Sequence, residues 1–139
     1  MLIDEIKKAN IQAMKDKDTD ARSVYSVVIN KYNNLTIELK SKGKEPTDSD
    51  MISVIQKTVK ELEEELAGWV KANRVDKIAA VDYQEKLISK YLPKQLGEDE
   101  IKTIINSLDD KSIPNVMKHF KTNYAGQVDM GLVNKIARG

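Results

Sequence analysis

Cysteine is absent from the 139-residue chain. That excludes a disulfide scaffold, a thiol nucleophile and any thiolate metal site. Histidine occurs once, as His119, so no histidine-rich metal cluster can form and no metal or cofactor is expected. Aromatic residues make up only 5% of the chain, and the six glycines are scattered without forming a phosphate-cradling loop behind a strand. No run approaches the roughly 20 apolar residues that span a bilayer. The opening Met1-Leu2-Ile3-Asp4-Glu5 breaks its apolar stretch too early for a signal peptide. No membrane association is expected, and the expected location is the cytoplasm. Net charge is nearly missing too, with 23 Lys plus Arg against 22 Asp plus Glu. Steering by bulk charge is therefore not expected.

What is present is a globular composition, 40% hydrophobic and 32% charged, carried on helical periodicity. Leu2, Ile6, Ala9 and Ala13 predict a first helix ending near Asp16, and the stretch Asp16 to Asp20 offers caps for a second. That helix carries Val24, Val28, Tyr32, Leu35 and Leu39 as one stripe, with a kink conceivable at Asn33-Asn34. Gly43 and Pro46 close it. Thr47 with Asp50 resembles a capping box opening the clearest helix, whose Ile52, Ile55, Val59, Leu62, Leu66 and Trp69 form a heptad-like seam. A short turn joins these two helices, so residues 20 to 71 read as a helical hairpin. A further helix from about Arg74 to Leu92 has a weaker stripe of Ile78, Val81, Leu87, Ile88 and Leu92.

Pro93 marks the one clear boundary, since the residue before proline is pushed out of helical space. Beyond it Glu98-Asp99-Glu100 put negative charge on the first turn of a new helix with Ile101, Ile104, Ile105 and Leu108 on one face. Ser112 can cap the next, which has Pro114 in its first turn and Ile113, Val116, Met117, Phe120 and Tyr124 as its apolar face. Gly126 ends it. Asp129 can cap a last short helix stapled by Val128 and Val133. The expected fold is all-α, an N-terminal helical hairpin or bundle over residues 1–92 followed by a three-helix module over 93–139.

Little in the chain suggests catalysis. His119 lies beside Phe120 on the flank of an amphipathic helix and reads as a boundary residue. Glu63-Glu64-Glu65 point in different directions on a helix and read as a solvated face. Trp69 belongs to the seam and is expected in the core, while Tyr83 and Tyr91 either pack the two parts together or lie exposed for stacking. Charge is distributed unevenly: residues 111–139 hold Lys111, Lys118, Lys121, Lys135 and Arg138 against Asp129 alone. Lys118 and Lys121 lie one turn apart opposite the apolar face, as do Lys135 and Arg138. Two such pairs on adjacent helices would form a modest phosphate-binding patch.

Two segments carry a family resemblance. Tyr91-Leu92-Pro93-Lys94-Gln95-Leu96-Gly97-Glu98-Asp99-Glu100-Ile101 resembles the linker of the YqeY-like proteins. Gly126-Gln127-Val128-Asp129-Met130-Gly131-Leu132-Val133-Asn134 resembles that family's second hallmark. The order of Lys15-Asp16-Lys17-Asp18, Arg22, Thr47-Asp48 and Gln56-Lys57-Thr58-Val59-Lys60 matches as well, so the likeness covers nearly the whole chain. The family's usual linker serine is Gly97 here, and its basic run near the third helix is Lys60-Glu61-Leu62.

The resemblance implies a helical N-terminal part and a small three-helix module. That module is shared with the tail of one component of the tRNA-dependent amidotransferase, where it is associated with tRNA. The amide-forming chemistry of that enzyme sits in its other domains and components. The expected function is a non-catalytic module that binds tRNA, or serves a tRNA-modifying or aminoacylating enzyme, through Lys111, Lys118, Lys121, Lys135 and Arg138. The alternative is a protein–protein adaptor that uses the coiled-coil-like hairpin and no nucleic acid. An amidotransferase enzyme is the third and disfavoured reading, because no nucleophile–base set or ATP site is visible.

Overall fold

A computed structural model describes residues 1–139. The chain is all-helical, with seven helices and no strand. They are α1 (Leu2–Lys15), α2 (Thr19–Ser41), α3 (Asp48–Lys71), α4 (Val75–Ser89), α5 (Glu98–Asn106), α6 (Ile113–Asn123) and α7 (Met130–Arg138). No helix is long and apolar enough to cross a membrane. The chain divides into two compact units, Met1–Tyr91 and Leu92–Gly139.

In the first unit α1, α2 and α3 end where the chain turns left-handed. Gly43 has φ +72°, and its N–H reaches the Lys40 carbonyl while Lys44 N–H reaches Leu39. This paired arrangement satisfies carbonyls that the last turn of α2 would otherwise leave open. The same two-bond closure ends α1 at Lys17 (φ +58°) and α3 at Asn73 (φ +55°). A lysine at such a position carries steric strain that glycine avoids. At the start of α3, Thr47 N–H donates to Asp50 Oδ2 at 2.7 Å, and the Thr47 hydroxyl donates to the same oxygen. The Asp18 carboxylate accepts from Ala21 N–H to cap α2. That helix runs without interruption through Asn33-Asn34, both of which face solvent.

α2 touches each of α1, α3 and α4, but the most extensive pairing is α3 with α4. The helices of the expected hairpin, α2 and α3, do pack together, but α3 packs more extensively on α4. The reason lies in the connections and the faces. The α3–α4 turn spans only residues 72–74 and is locked by Arg74 N–H on the Trp69 carbonyl. α3 also buries Met51, Val54, Ile55, Thr58 and Leu62, whereas the seam residues Ile52, Val59, Leu66 and Trp69 are only half-buried. Its buried face is therefore rotated from the heptad reading and serves several neighbours at once.

Polar pins tie the elements of this unit. Leu2 N–H donates to Asp48 Oδ1, linking α1 to α3. Lys31 Nζ lies 2.8 Å from Glu61 Oε1 and 3.3 Å from the buried Thr58 hydroxyl, which itself donates to the Val54 carbonyl. The Tyr83 hydroxyl donates to the Asp18 carboxylate, and Gln84 Nε2 donates to the Asp20 carbonyl. Tyr83 is 41% exposed and fastens α4 to the start of α2. Burial, above all, raises the Tyr91 hydroxyl above its usual range.

The second unit is built on six buried apolar side chains, Ile101, Ile105, Val116, Phe120, Val128 and Val133. Among its helices, α7 packs on both α6 and α5.

Candidate nucleic-acid interface

The basic residues singled out above lie in the second unit, so its local structure decides how they are presented. α5 opens at Gly97, whose N–H points to Glu100 Oε1 at 3.4 Å. Glu98 pairs with Lys102 at 3.3 Å across one turn, and Glu98, Asp99 and Glu100 place negative charge at the positive end of the helix dipole. α6 starts with Pro114 in its first turn, where a missing N–H costs nothing. Ser112 is its N-cap residue, as expected, but the hydroxyl makes no capping bond. Asp110 Oδ1 accepts from Ser112 N–H at 2.9 Å, and Asn115 Nδ2 donates to the Asp110 carbonyl. The Ser112 backbone and hydroxyl hold the Asp110 carboxyl below the usual carboxylate range. Asp110 thereby holds the N–H of the N-cap residue, in a turn that leads into the helix.

The apolar face of α6 buries Val116 and Phe120. Lys118 and Lys121 stand on its opposite side, both exposed and one turn apart. α7 is capped by Asp129, whose Oδ1 accepts from Gly131 N–H at 2.9 Å, and it buries Val133. Lys135 and Arg138 are exposed on its outer side. Arg138 Nε donates to Asn134 Oδ1 at 2.8 Å, which steadies the guanidinium while leaving its terminal nitrogens open. Asp129, the one acidic side chain of residues 111–139, accepts from Gly131 N–H in the α7 cap.

Two pairs are therefore set on two directly packed helices. Lys111 is different. It lies in the α5–α6 connection, and its Nζ donates to the Leu108 carbonyl at 2.9 Å, closing the end of α5. It stands on neither helix face.

His119 is half-buried beside these lysines. Its ring lies 5.9 Å from those of Phe120 and Tyr124, and Asn123 Nδ2 contacts its Nδ1 at 3.2 Å. No group of three or more His, Asp or Glu side chains is placed to hold a metal ion. In the first unit Trp69 is half-buried, not a core residue. Its Nε1 donates to Glu65 Oε1 at 3.2 Å, and Arg74 and Lys77 lie 5.7 and 6.0 Å from its ring centre. The α3 seam ends at the turn, with too little chain around it to cover an indole.

Gln95 is the residue that sequence reasoning passed over. Its Nε2 donates to the Pro93 carbonyl at 2.9 Å and the Gly126 carbonyl at 2.6 Å. Leu96 N–H donates to the Gln127 carbonyl at 2.7 Å. The linker segment and the Gly126-Gln127 segment, far apart in sequence, are thus bonded to each other. Gly126 takes φ +77°, a backbone that side chains rarely adopt, and this turn brings its carbonyl to Gln95. The signal available beforehand was a glutamine fixed between a proline and a helix start, which periodicity cannot interpret.

Comparison with known proteins adds one finding. No curated protein matches the chain. Residues 3–139, however, match a single family from end to end, and they include both of the segments that Gln95 bonds together. The chain belongs to the Yqey-like protein family.

Proposed function

We propose that this chain is a non-catalytic helical module that binds tRNA, or serves a tRNA-modifying or aminoacylating enzyme, through the outer faces of α6 and α7. The observation that carries the reading is the pair of exposed cation pairs, Lys118 with Lys121 and Lys135 with Arg138, on helices that pack together. With Lys111, these cations are the Lys and Arg side chains of residues 111–139, against the single acid Asp129, which caps α7. Cations free of carboxylate partners are what phosphate contacts require. The missing cysteine, and a lone histidine engaged by Asn123 and two aromatic rings, support the non-catalytic part. A cytoplasmic location belongs to the same proposal.

Titration of labelled tRNA by mobility shift over a range of salt tests the reading. Four phosphate contacts give a slope of log K against log salt of roughly −3 to −4. Lys118→Gln with Lys121→Gln reduces that slope by about 1.4 to 1.8 and leaves the thermal midpoint nearly unchanged. Lys7→Gln with Lys8→Gln removes equal charge from α1 and is expected to leave the slope alone. Equal weakening by both pairs, or no binding at low salt, defeats the proposal.

A further inference from the structure

The first unit contains a cleft that its own packing does not fill. It lies where α2, α3 and α4 meet and has a volume of about 370 Å³. That is near the lower end of the roughly 300–1,000 Å³ typical of binding clefts. Val24, Leu62 and Val81 form its apolar floor, and Val27 stands on the rim, 41% exposed. Around it α3 packs most extensively on α4, and α2 packs less extensively on either.

The mouth is acidic. Asp20, Glu61 and Glu65 line it against one lysine, Lys77. Lys31 takes Glu61 at 2.8 Å, which leaves Asp20 and Glu65 without a cationic partner among the ion pairs of the unit. Trp69 is outside the lining but touches two of its residues: its indole N–H donates to Glu65, and its ring has Lys77 at 6.0 Å. An apolar floor beneath carboxylates repels phosphate and suits a side chain that is greasy at its root and positive around it.

We infer that this cleft docks an amphipathic, basic helical segment of a partner protein, its leucine-like side chains on the Val24–Leu62–Val81 floor and its lysines or arginines on Asp20 and Glu65. Helix-in-groove recognition has this form: apolar anchors at helical spacing enter a groove between helices, and opposite charge along the rim sets register and partner choice. A nucleic acid is disfavoured by the acidic mouth. The inference is independent of the tRNA proposal, which concerns the other unit.

Trp69 is the sole tryptophan, so its fluorescence reports changes at Glu65 and Lys77, the lining residues it touches. Random peptides displayed on phage are selected against the full-length protein, and the enriched peptides are synthesised and titrated while Trp69 emission is followed. The expected consensus is basic, with apolar residues at three- and four-residue spacing, and the titration saturates with a shift in emission. Asp20→Asn with Glu65→Gln weakens binding by roughly tenfold, the size of losing two rim charge pairs, and Val27→Asp also weakens it. Circular dichroism confirms that each variant keeps the wild-type helix content. An acidic or patternless consensus, no enrichment, or equal binding by the variants overturns the inference. Emission that changes with protein concentration alone, with no peptide present, assigns the cleft to a second copy and overturns it too. Saturable displacement of the peptide by a single-stranded RNA oligonucleotide does the same.

Discussion

The first unit joins longer helices around an apolar core spread along all four of them, with polar pins between neighbours, whereas the second joins short helices around six apolar side chains and seals them with backbone hydrogen bonds. A long helix such as α3 has room for several partners on different flanks, and α2, α4 and α1 all use it. Its contacts are spread out, and a cleft is left where they thin. A short helix such as α5 or α7 has one face to bury and must be positioned by its ends. Gly97, Asp110, Gly126 and Asp129 do that work. The lesson is that length buys choice of partner at the expense of legibility.

The largest expected effect tests whether the small core is as concentrated as it looks. Phe120 is fully buried at the centre of the second unit, so Phe120→Ala costs about 3–5 kcal/mol. With so few buried residues around it, this unit is expected to lose its structure first. Denaturant unfolding followed by circular dichroism then shows an early partial loss of helix, with the signal of the first unit retained. A single transition at one midpoint breaks the comparison.

A second measurement addresses which face of α3 is the core. Leu62 is buried and Leu66 only half-buried, so Leu62→Ala costs about 2–5 kcal/mol and Leu66→Ala clearly less. Chemical denaturation ranks the two, and the reverse order restores the heptad seam as the core of this unit.

Removing Gln95 sharpens the contrast in how the units are closed. Gln95→Ala gives up bonds to two exposed carbonyls, at a cost of about 1 kcal/mol. It is also expected to speed proteolysis between Leu92 and Gly97 relative to wild type, where Gln95 and Leu96 hold the linker to residues 126 and 127. Unchanged cleavage there shows that the bond between the two family segments is not what orders them.

The smallest effect concerns charge in the α3–α4 pair. Burial first, and then the facing carboxylate of Glu63, raise Glu85 above the usual carboxylate range. A carboxyl with a raised folded-state pKa binds its proton more tightly when folded, so its contribution favours the fold in acid. That contribution is lost as pH rises from the ordinary carboxylate pKa through the raised one. Glu85→Gln therefore raises the thermal midpoint near neutral pH and has little effect at acid pH. A gain of the same size at both pH values shows that the effect is not ionisation.

Helix existence and most boundaries were legible in the sequence because they depend on neighbours within a turn or two. Pro93, Gly43, Thr47 with Asp50, and Asp129 each act through the backbone next to them, and each stands where the local chemistry placed it. The exposure of Lys118, Lys121, Lys135 and Arg138 followed from the same helical geometry. Only the tertiary structure decided that α3 pairs chiefly with α4, that Trp69 remains half-exposed beside a cleft, that Lys111 turns back on α5, and that Gln95 reaches Gly126. The physical reason is range: capping and periodicity are local in the chain, but a helix flank or a free amide is satisfied by whatever group folding brings to it.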